Sequence, residues 1–298
     1  MLKGILNINK EKGISSARVV SLVRRALDMK KVGHTGTLDL EASGVLPIVI
    51  GKATRVSDYM MTKDKVYETE LILGAKTDTL DAAGKIIGKS DKIVSEDKFL
   101  EVMNTFKGEI EQIPPMYSAL KVNGKKLYDL ARDGIEIERK RRKVKVYDIG
   151  LLDFAFPKAI IRVTCSKGTY IRTLVDDLGE KLGTFAYVNE LKRVRVGDFD
   201  IKDAINSEDI LEIPKEALIK KLYPVDTALK DFEKITLDKK YLDSLVNGQI
   251  VEVGVDFGKI VRVYAGEDFV GLGRNYCENN KKFLKMEKVF YERTDKNI

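Results

Sequence analysis

The sequence predicts an α+β protein: a large mixed domain over residues 1–230, interrupted by a basic insertion, then a small β-rich domain over 231–298. Three observations predict it. Strand-like and helix-like segments alternate through the first 230 residues. Residues 121–145 hold ten Lys or Arg against four acids, so this stretch carries +6 of the chain's net charge of +7. From about Asp231, short β-branched runs replace the helical periodicity. A chain of 298 residues is long enough for one large core and an appendage.

Ile5 to Asn9 has the composition of a short strand. Ser15 and Ser16 can cap a helix whose apolar positions, Val19, Val20, Val23, Ala26 and Leu27, fall at helical spacing. Two glycines in Gly33-His34-Thr35-Gly36 predict a loop running to Asp39. Val45 to Ile50 is an apolar, β-branched run suited to a buried strand. Val66 to Leu73 is a further strand. The Gly- and Asp-rich residues 74–91 predict turns, and Ser95 caps a helix bearing Phe99, Met103 and Phe106. Pro114-Pro115 rules out regular helix, so roughly 115–145 projects as an insertion. Strands resume at Val144 to Leu152 and Ile160 to Cys165. A helix over 171–182 lines up Ile171, Leu174, Val175, Leu178 and Leu182, with Gly183 as its C-terminal cap. Leu191 to Val196 is strand-like, and a shorter helix starts near Ser207. The last domain offers one helix near Lys239 to Val246 and strands at 259–264, 268–273 and 283–291.

Composition narrows the chemistry. Cys165 and Cys277 are the only cysteines and form no CxxC pair, which argues against a zinc or disulfide scaffold. Cys165 alternates with Val163 and Ile161, the pattern of a packed, reduced thiol. With a single histidine, a His-rich metal site is excluded, as is a Ser-His-Asp triad that does not use His34. No run of about 18 apolar residues is present to span a membrane. The first ten residues lack a secretory leader, so a cytoplasmic protein is expected. The concentrated positive charge is the footprint of a phosphate-rich partner; its ordinary alternative is a solvated charged loop.

Among 46 acidic residues, spacing alone does not single one out. Asp39 sits in a Gly-rich loop ahead of a buried strand, where chemistry tends to be placed. Most loop acids merely cap helices or shape turns. Thr79-Leu80-Asp81 with Gly84 echoes Thr37-Leu38-Asp39 with Gly44, so Asp81 is a close decoy.

The segment Gly33-His34-Thr35-Gly36-Thr37-Leu38-Asp39 through Ala42-Ser43-Gly44-Val45-Leu46-Pro47 resembles the catalytic motif of the TruB family of tRNA pseudouridine synthases. Four further blocks resemble the same family, in its order, over roughly residues 4–195. They are Gly4 to Lys10 with Gly13-Ile14-Ser15-Ser16; Lys65-Val66-Tyr67 with Thr77 to Gly84; Pro114 to Lys121 with Gly124 to Tyr128; and Cys165 to Arg172 with Asp176 to Gly179. Leu191-Lys192-Arg193 also fits. Leu40 and Glu11 stand where the family usually has proline, which bears on loop rigidity more than on functional groups.

The resemblance implies a pseudouridine synthase fold with a central mixed, mainly antiparallel sheet flanked by helices, a basic thumb at about 115–145, and a PUA-like C-terminal domain. It implies isomerisation of the T-loop uridine, position 55 of tRNA, by base flipping on the T-arm, without metal or other cofactor, in a monomer. Asp39 carries over as the essential carboxylate, Arg172 as its charge partner and Tyr67 as the ring against the uracil. His34, Tyr170, Leu191 and Lys10 carry over to the substrate pocket and its charge network, and Asp81 to support of the second-motif loop. Lys121, Lys125, Lys126, Arg139, Arg141 and Arg142 are the candidates for RNA phosphates. The ordinary alternative for Arg172 is a salt bridge to Asp176 one turn along its helix. Two other functions compete: a guide-RNA-dependent pseudouridine synthase, and a tRNA-folding module without catalysis. Attack on ribose C1′, addition to uracil C6 and removal of the 2′ proton are all open to Asp39.

Overall fold

The computed structural model describes residues 2–118, 120–122, 124–254, 257–279 and 281–292, with Lys121 and Lys126 by backbone alone. The first half of the chain forms β1 (Gly4–Lys10), α1 (Ser16–Leu27), β2 (Val32–His34), β3 (Ser43–Ile50), α2 (Ser57–Thr62), β4 (Lys65–Leu73), β5 (Ala75–Thr77), β6 (Ile86–Lys89), α3 (Glu96–Asn104) and β7 (Gly108–Gln112). The insertion holds β8 (Lys121–Val122), β9 (Lys125–Lys126) and α4 (Leu127–Arg132). Then follow β10 (Arg142–Ala155), β11 (Lys158–Cys165), α5 (Ile171–Leu182), β12 (Ala186–Val196), β13 (Phe199–Asp200), β14 (Ile205–Asn206) and α6 (Lys215–Lys220). The tail adds β15 (Lys234–Leu237), α7 (Leu242–Val246), β16 (Val251–Glu252), β17 (Ile260–Ala265), β18 (Asp268–Glu278) and β19 (Lys281–Val289).

The main sheet runs β14-β1-β3-β12-β4-β11-β10-β7, with β2 on β3 and β13 on β12. Only β1/β14 and β3/β12 are parallel, so the sheet is mixed and mainly antiparallel, as the resemblance implies. Its centre is β12, which joins β3 to β4. Two helices cover the sheet on either side of this seam. Helix α1 starts where Ser15 accepts the Arg18 amide and buries Val19, Val20, Val23 and Leu27 against Leu46, Ile48 and Ile50 of β3. Helix α5 buries Ile171, Leu174, Val175, Leu178 and Leu182 against Leu71, Ile161 and Val188, and ends at Gly183 in the left-handed conformation. Each such side chain contributes about 1.5–3 kcal/mol on burial. A cleft lies at this seam, lined by the loop after β2, the loop after β5, the start of α5 and β12.

Several expectations need correction. Residues 74–91 include a two-stranded hairpin, β5/β6, where glycines and aspartates suggested turns alone. The insertion ends sooner than 145. Arg142, Lys143, Val144 and Lys145 pair with β7 in the main sheet, because Val144 and Val146 alternate inward there. A 3-10 turn occupies Glu208–Leu211, and the helix near Ser207 forms later, after Pro214. The tail is a five-stranded sheet, β15-β17-β18-β19-β16, as its β-rich sequence predicts. It does not hang loose. Leu272 and Phe290 share a core with Ile5, Val45, Val49, Phe199 and Leu229, and Lys3, Lys52 and Arg55 donate to the carbonyls of Phe290, Tyr291 and Val289.

Candidate active site

The cleft's floor is the loop between β2 and β3. Three contacts stiffen this loop where proline was expected. Ser16 Oγ accepts the Leu38 amide at 3.0 Å and donates to the Leu38 carbonyl at 3.1 Å. The Gly13 amide donates to the Leu40 carbonyl at 2.9 Å, and Ala42 N donates to Asp39 O at 3.2 Å. Lys10 Nζ, on a side chain with no exposure, donates to the carbonyls of Glu11, Ile14 and Leu40. Leu40 itself points out, 48% exposed beside Asp39. Carbonyls thus anchor through Lys10 what a proline ring would otherwise restrain. Burial pushes the Lys10 ammonium down to about 8, against the opposing pull of Asp39 and Glu41. Its three donors are all taken by carbonyls around the loop.

Arg172, in the first turn of α5, is 5% exposed and is the hub. Its Nη2 lies 2.8 Å from Asp39 Oδ2 and donates to the Tyr117 carbonyl at 2.8 Å. Its Nη1 donates to the Thr79 carbonyl at 3.1 Å and lies 3.5 Å from Asp81 Oδ2. The competing bridge to Asp176 does not form: Asp176 pairs with Lys76. A cation in a helix's first turn opposes the helix dipole. Here two carboxylates and two carbonyls, from three different segments, offset that cost. Asp81, the decoy in the sequence, therefore shares the arginine with Asp39. It also accepts from Thr79 Oγ1 at 2.6 Å and from the Ala83 amide at 3.1 Å, which fixes the loop after β5.

The Asp39–Arg172 pair separates two small cavities of about 100 Å³ each. One is lined by Tyr67, Tyr170, Thr37 and Leu38, the other by Asp81, Glu41, Lys12 and Asn189; Leu191 borders both. Tyr67 and Tyr170 are half-buried, and burial pushes both phenols up. Tyr170 is held by two hydrogen bonds with Gln112, whose Oε1 accepts the Tyr170 amide and whose Nε2 donates to its carbonyl. His34 lies outside both cavities. Its Nδ1 accepts the Gly36 amide at 3.3 Å, and burial followed by the charge of Arg193 pushes its imidazole down. Among the described residues no three His, Cys, Asp or Glu side chains converge to hold a metal ion.

The phosphate candidates divide. Lys125, Arg141 and Arg142 are exposed and pair with no carboxylate among the described residues. Arg139 is engaged within the insertion, donating to the Pro114 carbonyl and to Glu136. The side chains of Lys121 and Lys126 lie outside the described residues. Residue spacing missed one side chain of consequence, Arg193. Its only signal was membership of the Leu191-Lys192-Arg193 block.

Comparison with known proteins gives the family. Residues 24–171 match the model of the TruB family pseudouridylate synthase N-terminal domain, and residues 172–230 match that of the tRNA pseudouridylate synthase B C-terminal domain. Fold and site together thus define a pseudouridylate synthase. The tRNA pseudouridine synthase B of Clostridium perfringens (strain SM101) is 45% identical over 98% of this chain and 100% of its own length. That of Clostridium acetobutylicum is 46% identical over 96% and 99%. A solved Cbf5-Nop10-Gar1 complex contains a chain superposing with a TM-score of 0.75 at 29% identity, over 97% of this chain and 85% of that one. The chain belongs to the TruB family of tRNA pseudouridine synthases and is an isomerase acting on tRNA.

Proposed function

We propose that the chain converts the T-loop uridine, position 55 of tRNA, to pseudouridine, with Asp39 as the reacting carboxylate on a flipped-out base. The observation that carries this reading is the placement of Asp39 on Arg172, between a cavity walled by Tyr67, Tyr170 and Leu191 and one floored by Asp81.

The reaction breaks the N1–C1′ bond and forms C5–C1′. N1 gains a proton and C5 loses one, so nothing is oxidised and no group enters. The residues needed are a carboxylate near C1′ and C6, a clamp for the ring, and a proton acceptor near C5. Arg172 holds Asp39 in place. Tyr67 and Leu191 grip the base on two sides, and the Tyr67 hydroxyl is the candidate acceptor at C5. Asp39 is 43% exposed in the absence of RNA, so water exclusion falls to the bound nucleotide and its flanking backbone. Extruding the base costs about a few kcal/mol of stacking. Phosphate contacts from Lys125, Arg141 and Arg142 offset it. Replacing these three by Gln is expected to flatten the slope of log affinity against log salt by about two to three units. An unchanged slope in filter binding at several salt concentrations would remove them from the phosphate clamp.

The test of function is tritium release from 5-tritiated uridine in unmodified tRNA and in a bare T-arm stem-loop. Release is expected from both, and none from a transcript with the T-loop uridine replaced. The likeness to a chain of the Cbf5-Nop10-Gar1 complex bears on one rival, action that requires further components. Release only on addition of a guide RNA or further proteins would establish that rival.

A further inference from the structure

Arg193 sits where the two halves of the main sheet meet. On β12 it is opposite Tyr67 of β4 and opposite Gly44 of β3. Its side chain is 3% exposed. Its Nε donates to the Val45 carbonyl at 2.8 Å, Nη2 to the Gly36 carbonyl at 3.2 Å and Nη1 to the Thr37 carbonyl at 3.4 Å. Its charge also acts on the Tyr67 phenol, which it pulls down against the effect of burial. No carboxylate pairs with it among the described residues. A buried guanidinium without a counter-ion is costly, and an apolar side chain of similar volume would serve stability as well or better. Apart from Val45, its contacts are with parts of the site. Gly36 and Thr37 begin the loop that ends at Asp39, and Tyr67 lines the same cavity as Asp39.

We propose that Arg193 is a positioning residue for the isomerisation: its fork locks the Asp39 loop to the Tyr67 strand, so carboxylate and phenol keep one spacing across the uracil. The placement of the uracil rests on the reading above; the mechanical coupling rests on the contacts just given. Arg193 does not pair with Asp39 and does not itself line either cavity. It acts through the loop's main chain and through Tyr67. A lysine is not equivalent to it: an ammonium donates from a single point, whereas these three carbonyls are each met by a different nitrogen of one planar fork.

The test uses Arg193→Lys and Arg193→Met in the full chain. Total pseudouridine formed in bulk unmodified tRNA under single turnover is the readout, so the identity of the target uridine does not enter. His34 supplies a second readout. It is the chain's one histidine, so its imidazole gives a single NMR titration, and the charge of Arg193 helps push it down. In Arg193→Met the His34 midpoint is expected to rise and the rate to fall about a hundredfold, with tRNA affinity within about threefold of the parent. In Arg193→Lys the charge stays, so the His34 midpoint stays near the parent's, while the rate still falls about tenfold or more. That dissociation of rate from charge is what positioning by the fork requires. A Lys protein with a parent-like rate would overturn the proposal, as would a loss of rate matched by an equal loss of tRNA affinity. If the Met protein does not fold, the Lys protein alone decides. Should tritium release map to a uridine outside the T-loop, the proposed position falls while the Arg193 effect on total product still stands.

Discussion

The Asp39→Asn protein is expected to bind tRNA with parent-like affinity and to form no measurable pseudouridine. The exchange keeps the shape of the side chain and one acceptor oxygen for Arg172. The arginine retains the carbonyls of Thr79 and Tyr117 and the Asp81 carboxylate, so the hub does not collapse. Asp39 is 43% exposed, which limits the pair's worth to stability to about 1 kcal/mol. What the amide lacks is the anionic oxygen that every open route requires, whether it attacks C1′, adds to C6 or removes the 2′ proton. The expected fall in single-turnover rate is at least about ten-thousandfold. Tritium release and filter binding on the same preparation separate chemistry from binding. Residual isomerisation above about one hundredth of the parent rate would remove Asp39 from the reacting position. The control is Asp81→Asn. Asp81 holds the far side of the same guanidinium and its own loop, so its loss is expected to slow the reaction by about tenfold to a hundredfold without abolishing it.

That control also shows what the sequence could and could not reveal. Periodicity placed α1, α5 and the strands around them because each buries one apolar face, and such patterns are local. Ser15, Ser95 and Gly183 were legible as caps for the same reason. The likeness of Thr37-Leu38-Asp39 to Thr79-Leu80-Asp81 was visible too, but its meaning was not. The two acids lie 42 positions apart, and only the folded sheet brings both to Arg172. The basic run, unlike the strand pattern from Val144, misjudged the end of the insertion. Arg142 to Lys145 continue the basic run, yet the alternation through Val144 and Val146 enters β10. Lys10 illustrates a different limit. Resemblance carried Lys10 over to the pocket and its charge network, but its bonds to three carbonyls are contacts that no spacing rule forecasts. Arg193 was hidden most fully, because a buried cation paired with main-chain oxygens has no partner residue to announce it.

The second large effect is expected from Gly44→Ala, which strikes the same seam through the backbone. Gly44 lies where β3 and β12 run side by side, directly opposite Arg193. A β-carbon there would sit 2.2 Å from the Arg193 carbonyl oxygen and 2.7 Å from its amide nitrogen. Both are main-chain atoms held in the ladder to Tyr67, so neither can swing away as a flexible side chain would. Gly44 also has φ +111°, a conformation that L-residues adopt only under strain of about 1–3 kcal/mol. Relief requires the two strands to part. That withdraws the Arg193 fork from Val45, Gly36 and Thr37 and frees the loop carrying Asp39. A loss of about 3 kcal/mol or more in urea unfolding is expected, together with at least about a hundredfold loss of rate at temperatures where the protein remains folded. Gly36→Ala is the matched control. Gly36 has φ +139°, but an added β-carbon meets nothing within 4 Å. Only the conformational strain then applies, and the stability loss should be the smaller of the two. Equal losses from both substitutions would mean that conformation alone matters at these loops. A parent-like Gly44→Ala protein would mean that the close approach of β3 to β12 is not what fixes the site.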